Sequence, residues 1–216
     1  MLVSALGGSE RERLRSIIDE ADKYLSERDA VRERAIKASR DVIRYSGWTI
    51  TAIHKGDIGE AEKNLEIADE RAQKLIGLVK PYPELYYSGM VYNALSEYVE
   101  AKVFMAILKQ EELPGFRDLG VPPIPYLQGL GDVVGELRRY IFELVRKGVI
   151  DDSWRLLSLM EAIYVELRRL DYPEALAPGV RHKADMARRL IDDTKSFLVD
   201  IESRVRLEGM LKKLFK

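Results

Sequence analysis

Apolar side chains recur at intervals of three or four residues along almost the whole chain, a spacing that few architectures other than packed helices can use. It places apolar residues on one face of an α-helix, and the alternation typical of half-buried strands is missing. Proline and glycine interrupt the pattern and mark the helix ends. The predicted helices cover residues 9–26, 29–54, 59–79, 84–109, 125–147, 151–170 and 179–216. Because most connections are short, we expect an all-α protein, a seven-helix antiparallel bundle forming one domain over residues 1–216.

The composition excludes several kinds of functional site. The 216 residues include 35 Lys and Arg against 36 Asp and Glu, so a nucleic-acid site would have to be a local basic patch. The absence of cysteine excludes disulfides, thiolate zinc sites and cysteine nucleophiles. The apolar start MLVSALGG is too short for a secretory signal and no apolar run could span a bilayer, which predicts a cytoplasmic protein with no membrane partner. The scarcity of Asn and Gln is typical of a heat-adapted host.

Two pairs of acidic residues occur on otherwise apolar helices. Glu97 and Glu100 are three residues apart and therefore project from one face of their helix. Asp132 and Glu136 are four residues apart and share a face of the next helix. Because a single loop joins these helices, we expect them to be antiparallel neighbours whose acidic pairs face each other.

Four carboxylates in an apolar setting repel one another, so we expect them either to take up protons or to bind a divalent cation. Ligands that are all oxygen favour Mg²⁺ or Mn²⁺, which activate water and neutralise charge on phosphoryl oxygens, the chemistry of phosphodiester hydrolysis. The helix that carries Asp132 and Glu136 also contains Gly129, Gly131 and Gly135. Because glycine has no side chain, these residues would permit the close approach of helices that a shared site needs. The alternative is that the acids pair with Lys102, Arg138 and Arg139 on solvated faces.

A basic stripe follows the helix predicted at 29–54. Lys37, Arg40 and Arg44 lie opposite an apolar face, and His54 and Lys55 end the same helix. Such a stripe suits a phosphate backbone, but it is equally typical of any solvated helix face. The apolar face itself consists of Val31, Ala35, Val42 and Ile53.

Other patterns carry less information. Five tyrosines at helical spacing suit base stacking, although such tyrosines more often belong to a core or an interface. They are Tyr82, Tyr86, Tyr87, Tyr92 and Tyr98. The chain contains no Glu-x-x-His di-iron pattern, no GxxxxGK[ST] phosphate loop and no GxSxG nucleophile elbow.

Four segments together resemble the translin superfamily, and within it the branch of translin-associated protein X. They are Ile-Lys-Ala-Ser-Arg-Asp at 36–41 with Ile-His-Lys at 53–55, Glu-Tyr-Val-Glu-Ala at 97–101, residues 125–139, and Arg-His-Lys-Ala-Asp at 181–185. The resemblance implies a seven-helix bundle that assembles into a hollow, eight-subunit shell around RNA or single-stranded DNA. It also implies that Glu97, Glu100 and Asp132 are catalytic acids and that Glu136 is a further metal ligand. Translin itself lacks the aspartate and binds without cutting, whereas this chain has it.

Three functional hypotheses follow from these observations. The first is a homo-oligomeric endoribonuclease that uses Mg²⁺ or Mn²⁺, in which Lys37, Arg40, Arg44, His54 and Lys55 guide the RNA backbone. The second is a shell of the same kind that binds RNA or single-stranded DNA without cutting it. The third is an all-α nucleoside-triphosphate pyrophosphohydrolase, although the downstream pair here is Asp-x-x-x-Glu where that class has Glu-x-x-Asp.

Overall fold

A computed structural model of the protein describes residues 8–214. All the regular secondary structure of this part of the chain is helical, which confirms the prediction of an all-α bundle with seven helices. The helices are α1 (Gly8–Lys55), α2 (Ile58–Val79), α3 (Pro83–Tyr86), α4 (Gly89–Lys109), α5 (Pro123–Arg146), α6 (Ile150–Arg168) and α7 (Val180–Leu214). Residues 1–7 of the apolar segment at the start of the sequence, and the last two residues of the seventh predicted helix, lie outside the described residues.

Helix α1 corrects the prediction of two helices at 9–26 and 29–54, because it continues without a break through residues 27–28. No proline or glycine lies at residues 26–29 to interrupt the helix. Arg28 instead stacks on the ring of Tyr24, 3.2 Å from its centroid, and Asp29 pairs with Arg32 within the helix. These contacts at helical spacing support continuation of the helix.

Helix α3 is a single turn, and it corrects the prediction of one continuous helix at 84–109. The break occurs because Ser88 adopts an extended conformation and its Oγ accepts a hydrogen bond from the amide of Val91, which caps α4. The same hydroxyl donates to the carbonyl of Leu85 at 2.7 Å. The turn between α3 and α4 is therefore held firmly, and it places Tyr87 beside the first turn of α4.

Helix α4 is the central helix of the bundle. It packs against α1, α2 and α5, and buried residues such as Leu95, Tyr98, Val99 and Phe104 lie on several of its sides. Helices α5, α6 and α7 pack against one another on the side of α5. An acidic residue carried by α4 is consequently surrounded by other helices and is poorly solvated.

Among the described residues, no helix is long and apolar enough to cross a membrane.

Candidate functional site

The first acidic pair is carried into the interior by α4. Glu100 is buried, with 8% of its surface exposed, and Glu97 is half-buried. Neither carboxylate has a hydrogen-bond or ion-pair partner among residues 8–214. Buried carboxylates without a partner are unusual, because desolvation penalises the charged form unless another charge compensates it.

The second acidic pair is brought to the first by close packing of α5 against α4. A Cβ atom on Gly129 would lie 2.5 Å from the carbonyl oxygen of Ser96, so only glycine permits this approach. The hydroxyl of Ser96 lies 3.5 Å from Oδ2 of Asp132, at the near end of the second pair. The prediction that the two acidic helices are neighbours is confirmed.

Two cationic or ionisable side chains contact the second pair. The ammonium of Lys183, on α7, lies 2.5 Å from Oδ1 of Asp132. The Nε2 atom of His54, at the end of α1, lies 2.5 Å from Oε2 of Glu136. Sequence reasoning did not assign Lys183 to the site, and only its place in one of the family-like segments pointed to it.

The alternative pairings considered from the sequence are met only in part. The guanidinium of Arg139 lies 3.8 Å from Glu136, a weaker contact than the one with His54. Lys102 pairs with Asp69 at 3.9 Å, and Arg138 lies over the ring of Phe142. The four acids are therefore not paired separately with Lys102, Arg138 and Arg139.

The carboxylates influence one another electrostatically. Burial, followed by the negative charges of Asp132, Glu97 and Glu136, raises the pKa of Glu100 to about 9. Burial, together with the charges of Asp132 and Glu136, also raises the pKa of Glu97, although Lys183 opposes this change. The surroundings of Glu100 therefore favour the binding of a positively charged species, either a proton or a metal cation.

The donor set suits a hard divalent cation, because it consists of carboxylate oxygens and leaves Glu97 and Glu100 without other partners. However, the described residues contain no group of three or more His, Asp or Glu side chains arranged to hold a metal ion. Lys183 and His54 engage Asp132 and Glu136 instead. The residues thus fit Mg²⁺ or Mn²⁺ by chemistry and charge, and coordination would require their side chains to draw closer.

The raised pKa of Glu100 leads to a prediction about stability. Between about pH 5 and pH 9, the folded chain retains a proton that the unfolded chain releases near its ordinary pKa of 4.5, so the free energy of unfolding should fall as pH rises. Glu100→Gln removes this titration, and the wild type should lose stability relative to the variant across that window. Denaturant unfolding in EDTA at a series of pH values measures the difference. Parallel curves for the two proteins would contradict the prediction.

The predicted basic residues fall into two groups. Lys37, Arg40, Arg44 and Lys55 are exposed, as expected of a stripe on the outer face of α1. The side chain of His54 is only 6% exposed and points inward to Glu136, so it does not share the surface of the others. Lys37, Arg40 and Arg44 precede His54 by 10 to 17 residues, or about 15 to 26 Å along the helix axis.

A groove between α1 and α2 adds basic residues that the sequence analysis did not consider. Arg34 and Lys37 line it from α1, and Arg71 and Lys74 line it from α2, around a volume of about 540 Å³. Lys37 has no ion-pair partner among residues 8–214, and neither does Arg40. No local pattern could have found this groove, because its two sides are more than 30 residues apart in sequence.

The five tyrosines also separate into two groups. Tyr98 is fully buried and donates a hydrogen bond to Asp69, and Tyr82 and Tyr86 pack against the core. Tyr87 and Tyr92 instead line a cavity next to the acidic pairs. The core interpretation therefore holds for three of the five residues.

Comparisons with known proteins agree with this architecture. The profile of the translin family matches residues 30–201. An uncharacterized protein of Methanocaldococcus jannaschii is 31% identical over 88% of this chain and 85% of its own length. Mouse translin-associated protein X is 26% identical over 61% of this chain, a match that spans 59% of the mouse protein.

Solved structures show the same fold. The AfC3PO complex with duplex RNA superposes with a TM-score of 0.80 and 35% identity, over 87% of this chain and 97% of that chain. The apo-NeC3PO structure superposes with a TM-score of 0.77 over 85% of this chain and 96% of that chain, and its 24% identity bears on the fold alone.

Proposed function

This chain belongs to the translin family, and we propose that within it the protein acts as an endoribonuclease that depends on Mg²⁺ or Mn²⁺. The observation that carries the proposal is Glu100, a buried carboxylate without a partner that lies in the field of three further acids. An arrangement of this kind is unfavourable unless it serves to bind positive charge. The likeness to AfC3PO, whose structure holds duplex RNA, supports RNA as the substrate class.

In this proposal the cation is held by Glu97, Glu100, Asp132 and Glu136. When bound, it would offset the repulsion of the carboxylates, polarise a phosphate oxygen and activate water. Lys183 orients Asp132 through Oδ1, which leaves Oδ2 directed towards Ser96. His54, packed near the rings of Phe104 and Tyr140, fixes Glu136 in the same way.

The raised pKa of Glu97 belongs to the site without a cation, and a bound cation would favour the charged form, so Glu97 serves in this proposal as a ligand. Hydrolysis adds one water across the P–O bond: the hydroxyl joins phosphorus, and the departing oxygen takes up the proton. Purified protein should cut labelled RNA in Mg²⁺ or Mn²⁺, and EDTA should stop the reaction.

We propose that the basic residues of α1, together with the groove beside them, hold the RNA backbone. Lys37 and Arg40 are exposed and free of ion pairs within the described chain, so their charges are available to phosphates. Arg44, in contrast, pairs with Asp41 at 3.2 Å. Contacts of this type position a nucleic acid without reading its sequence.

Replacing Lys37 and Arg40 together by Ala should weaken RNA binding uniformly across sequences. Each lost phosphate contact should reduce the slope of log affinity against log salt by about one. Fluorescence anisotropy in EDTA, at several salt concentrations, measures the slope. The matched control is Arg204→Ala, which removes an exposed arginine on α7 that is paired with Asp200. An unchanged slope in the double variant would remove these two residues from the interface.

A shell of several identical subunits is part of the proposal. The first 20 residues of α1 are exposed, and Leu14, Ile17 and Ile18 lie on this projecting segment. The last turns of α7 likewise expose Leu207 and Met210. Apolar patches of this kind are typical of surfaces that another protein surface covers.

A second candidate function is RNA binding without cleavage. It is favoured by the contacts of Lys183 and His54, which already neutralise or engage Asp132 and Glu136, and by the lack of a three-ligand cluster in the described chain. In that case RNA affinity would be present, and no products would form in Mn²⁺.

A further inference from the structure

A cavity of about 460 Å³ opens directly beside the acidic pairs, and we call it the tyrosine pocket. Glu97 and Asp132 form one side of it, and Tyr87 and Tyr92 form another. Its volume lies within the range of about 300 to 1,000 Å³ that is typical of small-molecule sites. A group seated here would lie next to any phosphate held by the acids.

Tyr87 provides an exposed aromatic surface in a fixed position. The residue is 64% exposed, although the backbone on either side is held by the turn of α3 and the cap of α4. Tyr86 and Tyr92 contact it edge-to-face, with ring centroids 5.0 and 6.4 Å away and interplanar angles of 81° and 76°. These contacts fix the orientation of the Tyr87 ring, and much of the ring surface remains accessible to a planar ligand.

Two amide side chains supply hydrogen-bonding groups around the tyrosines. Gln128 donates from Nε2 to the carbonyl of Pro178 at 2.6 Å, which fixes the direction of its amide. Asn93 is exposed and has no hydrogen-bond partner among residues 8–214. Amides present both donors and acceptors, as the edges of nucleobases do.

Charge is distributed unevenly in the pocket. Among the described residues, its lining carries two carboxylates, Glu97 and Asp132, and one cation, Lys183, which pairs with Asp132, whereas the surface formed by Tyr87, Tyr92 and Asn93 is neutral. A ligand matches this distribution if it has a neutral aromatic end for the tyrosines and a phosphate whose charge the proposed cation would offset beside the acids. A nucleotide unit of a polynucleotide has that character.

We propose that the tyrosine pocket receives one nucleobase of the RNA strand, flanking the phosphate that is cut. The inference rests on the proposed nuclease function and adds a base-binding subsite to it. The base stacks on Tyr87 and meets the amides of Asn93 and Gln128, so the strand is held in register with the acids. Cleavage should therefore prefer particular bases at one position beside the cut.

The test maps cleavage sites in a pool of random single-stranded RNA, because a paired base could not enter the pocket. Wild type should show a base preference at one flanking position, and Tyr87→Leu should flatten it and raise KM roughly 5- to 150-fold, the range expected for one lost stacking contact. Tyr87→Phe keeps the ring and should therefore restore the base preference that Tyr87→Leu loses. The control is Tyr172→Leu, at a tyrosine that is 61% exposed outside the pocket.

The outcomes separate the pocket from the nuclease. If wild type cuts RNA without base preference, or if Tyr87→Leu retains the preference and KM of wild type, the pocket is refuted and the nuclease stands. Equal loss in Tyr87→Phe and Tyr87→Leu would also refute stacking.

If wild type does not cut at all, the binding of oligonucleotides with one abasic position, measured by anisotropy in EDTA, decides the question. A single position at which the missing base weakens binding, and which loses this effect in Tyr87→Leu, supports the pocket. The lack of any such position overturns the pocket. Free uridine and adenosine monophosphates, titrated separately, show whether binding requires the strand.

Discussion

Asp132→Asn should abolish RNA cleavage while leaving the bundle intact. Asparagine has nearly the same shape and retains an oxygen that can accept the hydrogen bond from Lys183, so the packing of α5 against α7 should survive. It removes the negative charge that a cation would require. A divalent cation contributes several kcal/mol to such a transition state, and each factor of ten corresponds to about 1.4 kcal/mol, so cleavage should slow by at least about 100-fold.

Gel assays of labelled RNA under single-turnover conditions measure this loss. The matched control is Glu161→Gln, because Glu161 also pairs with a lysine of α7, Lys195 at 3.0 Å, but lies outside the acidic pairs. RNA affinity should be retained by both variants, since the basic residues of α1 are unchanged. Equal cutting by Asp132→Asn and wild type would remove the acids from the reaction. Binding without products in any metal would favour the second candidate function.

The positions of the acids were predictable, whereas their partners were not. Glu97 and Glu100, like Asp132 and Glu136, share a face because helical geometry fixes neighbours three and four residues apart. Lys183 and His54 lie 51 and 82 residues from the acids that they contact. Such pairings depend on how whole helices pack, and no local spacing in the sequence encodes them.

The helix ends were likewise predictable only in part. Breaks at proline or glycine were predicted within a few residues, as at Gly56 and at Pro122, because these residues impose backbone conformations or remove a donor. The false break between residues 26 and 29 had no proline or glycine to support it. The unpredicted break at Ser88 arises because its hydroxyl bonds on both sides, to Leu85 and Val91. Polar cap residues are therefore weaker signals than proline or glycine in this chain.

The glycines of α5 show where the predicted close approach of neighbouring helices occurs. The sequence indicated that Gly129, Gly131 and Gly135 would allow close approach, and this is confirmed for two of them. A Cβ on Gly131 would lie 2.7 Å from Cβ of Lys183, and one on Gly129 would meet the backbone of α4. At Gly135 the nearest atom would be 3.9 Å away, an ordinary contact with Leu190.

Gly129→Ala should therefore destabilise the protein markedly, and Gly135→Ala should stabilise it. The added methyl at position 129 would sit 2.5 Å from the Ser96 carbonyl and 2.9 Å from Cβ of Val99, so α4 and α5 must separate. Because the clash is with a backbone atom, its cost should lie at the upper end of the roughly 1 to 3 kcal/mol typical of overpacking, which exceeds the gain of roughly 1 kcal/mol in helix propensity. At position 135 only the propensity gain remains.

Thermal unfolding of the two variants measures this contrast within one helix. With about 2 to 4 °C per kcal/mol for a chain of this size, melting should fall for Gly129→Ala and rise by a few degrees for Gly135→Ala. Because the contact at Gly129 also brings Asp132 to Ser96, the destabilised variant should lose RNA cleavage even at temperatures where it remains folded. If Gly129→Ala melted and cut RNA as Gly135→Ala does, close approach of α4 and α5 would not be what assembles the four acids.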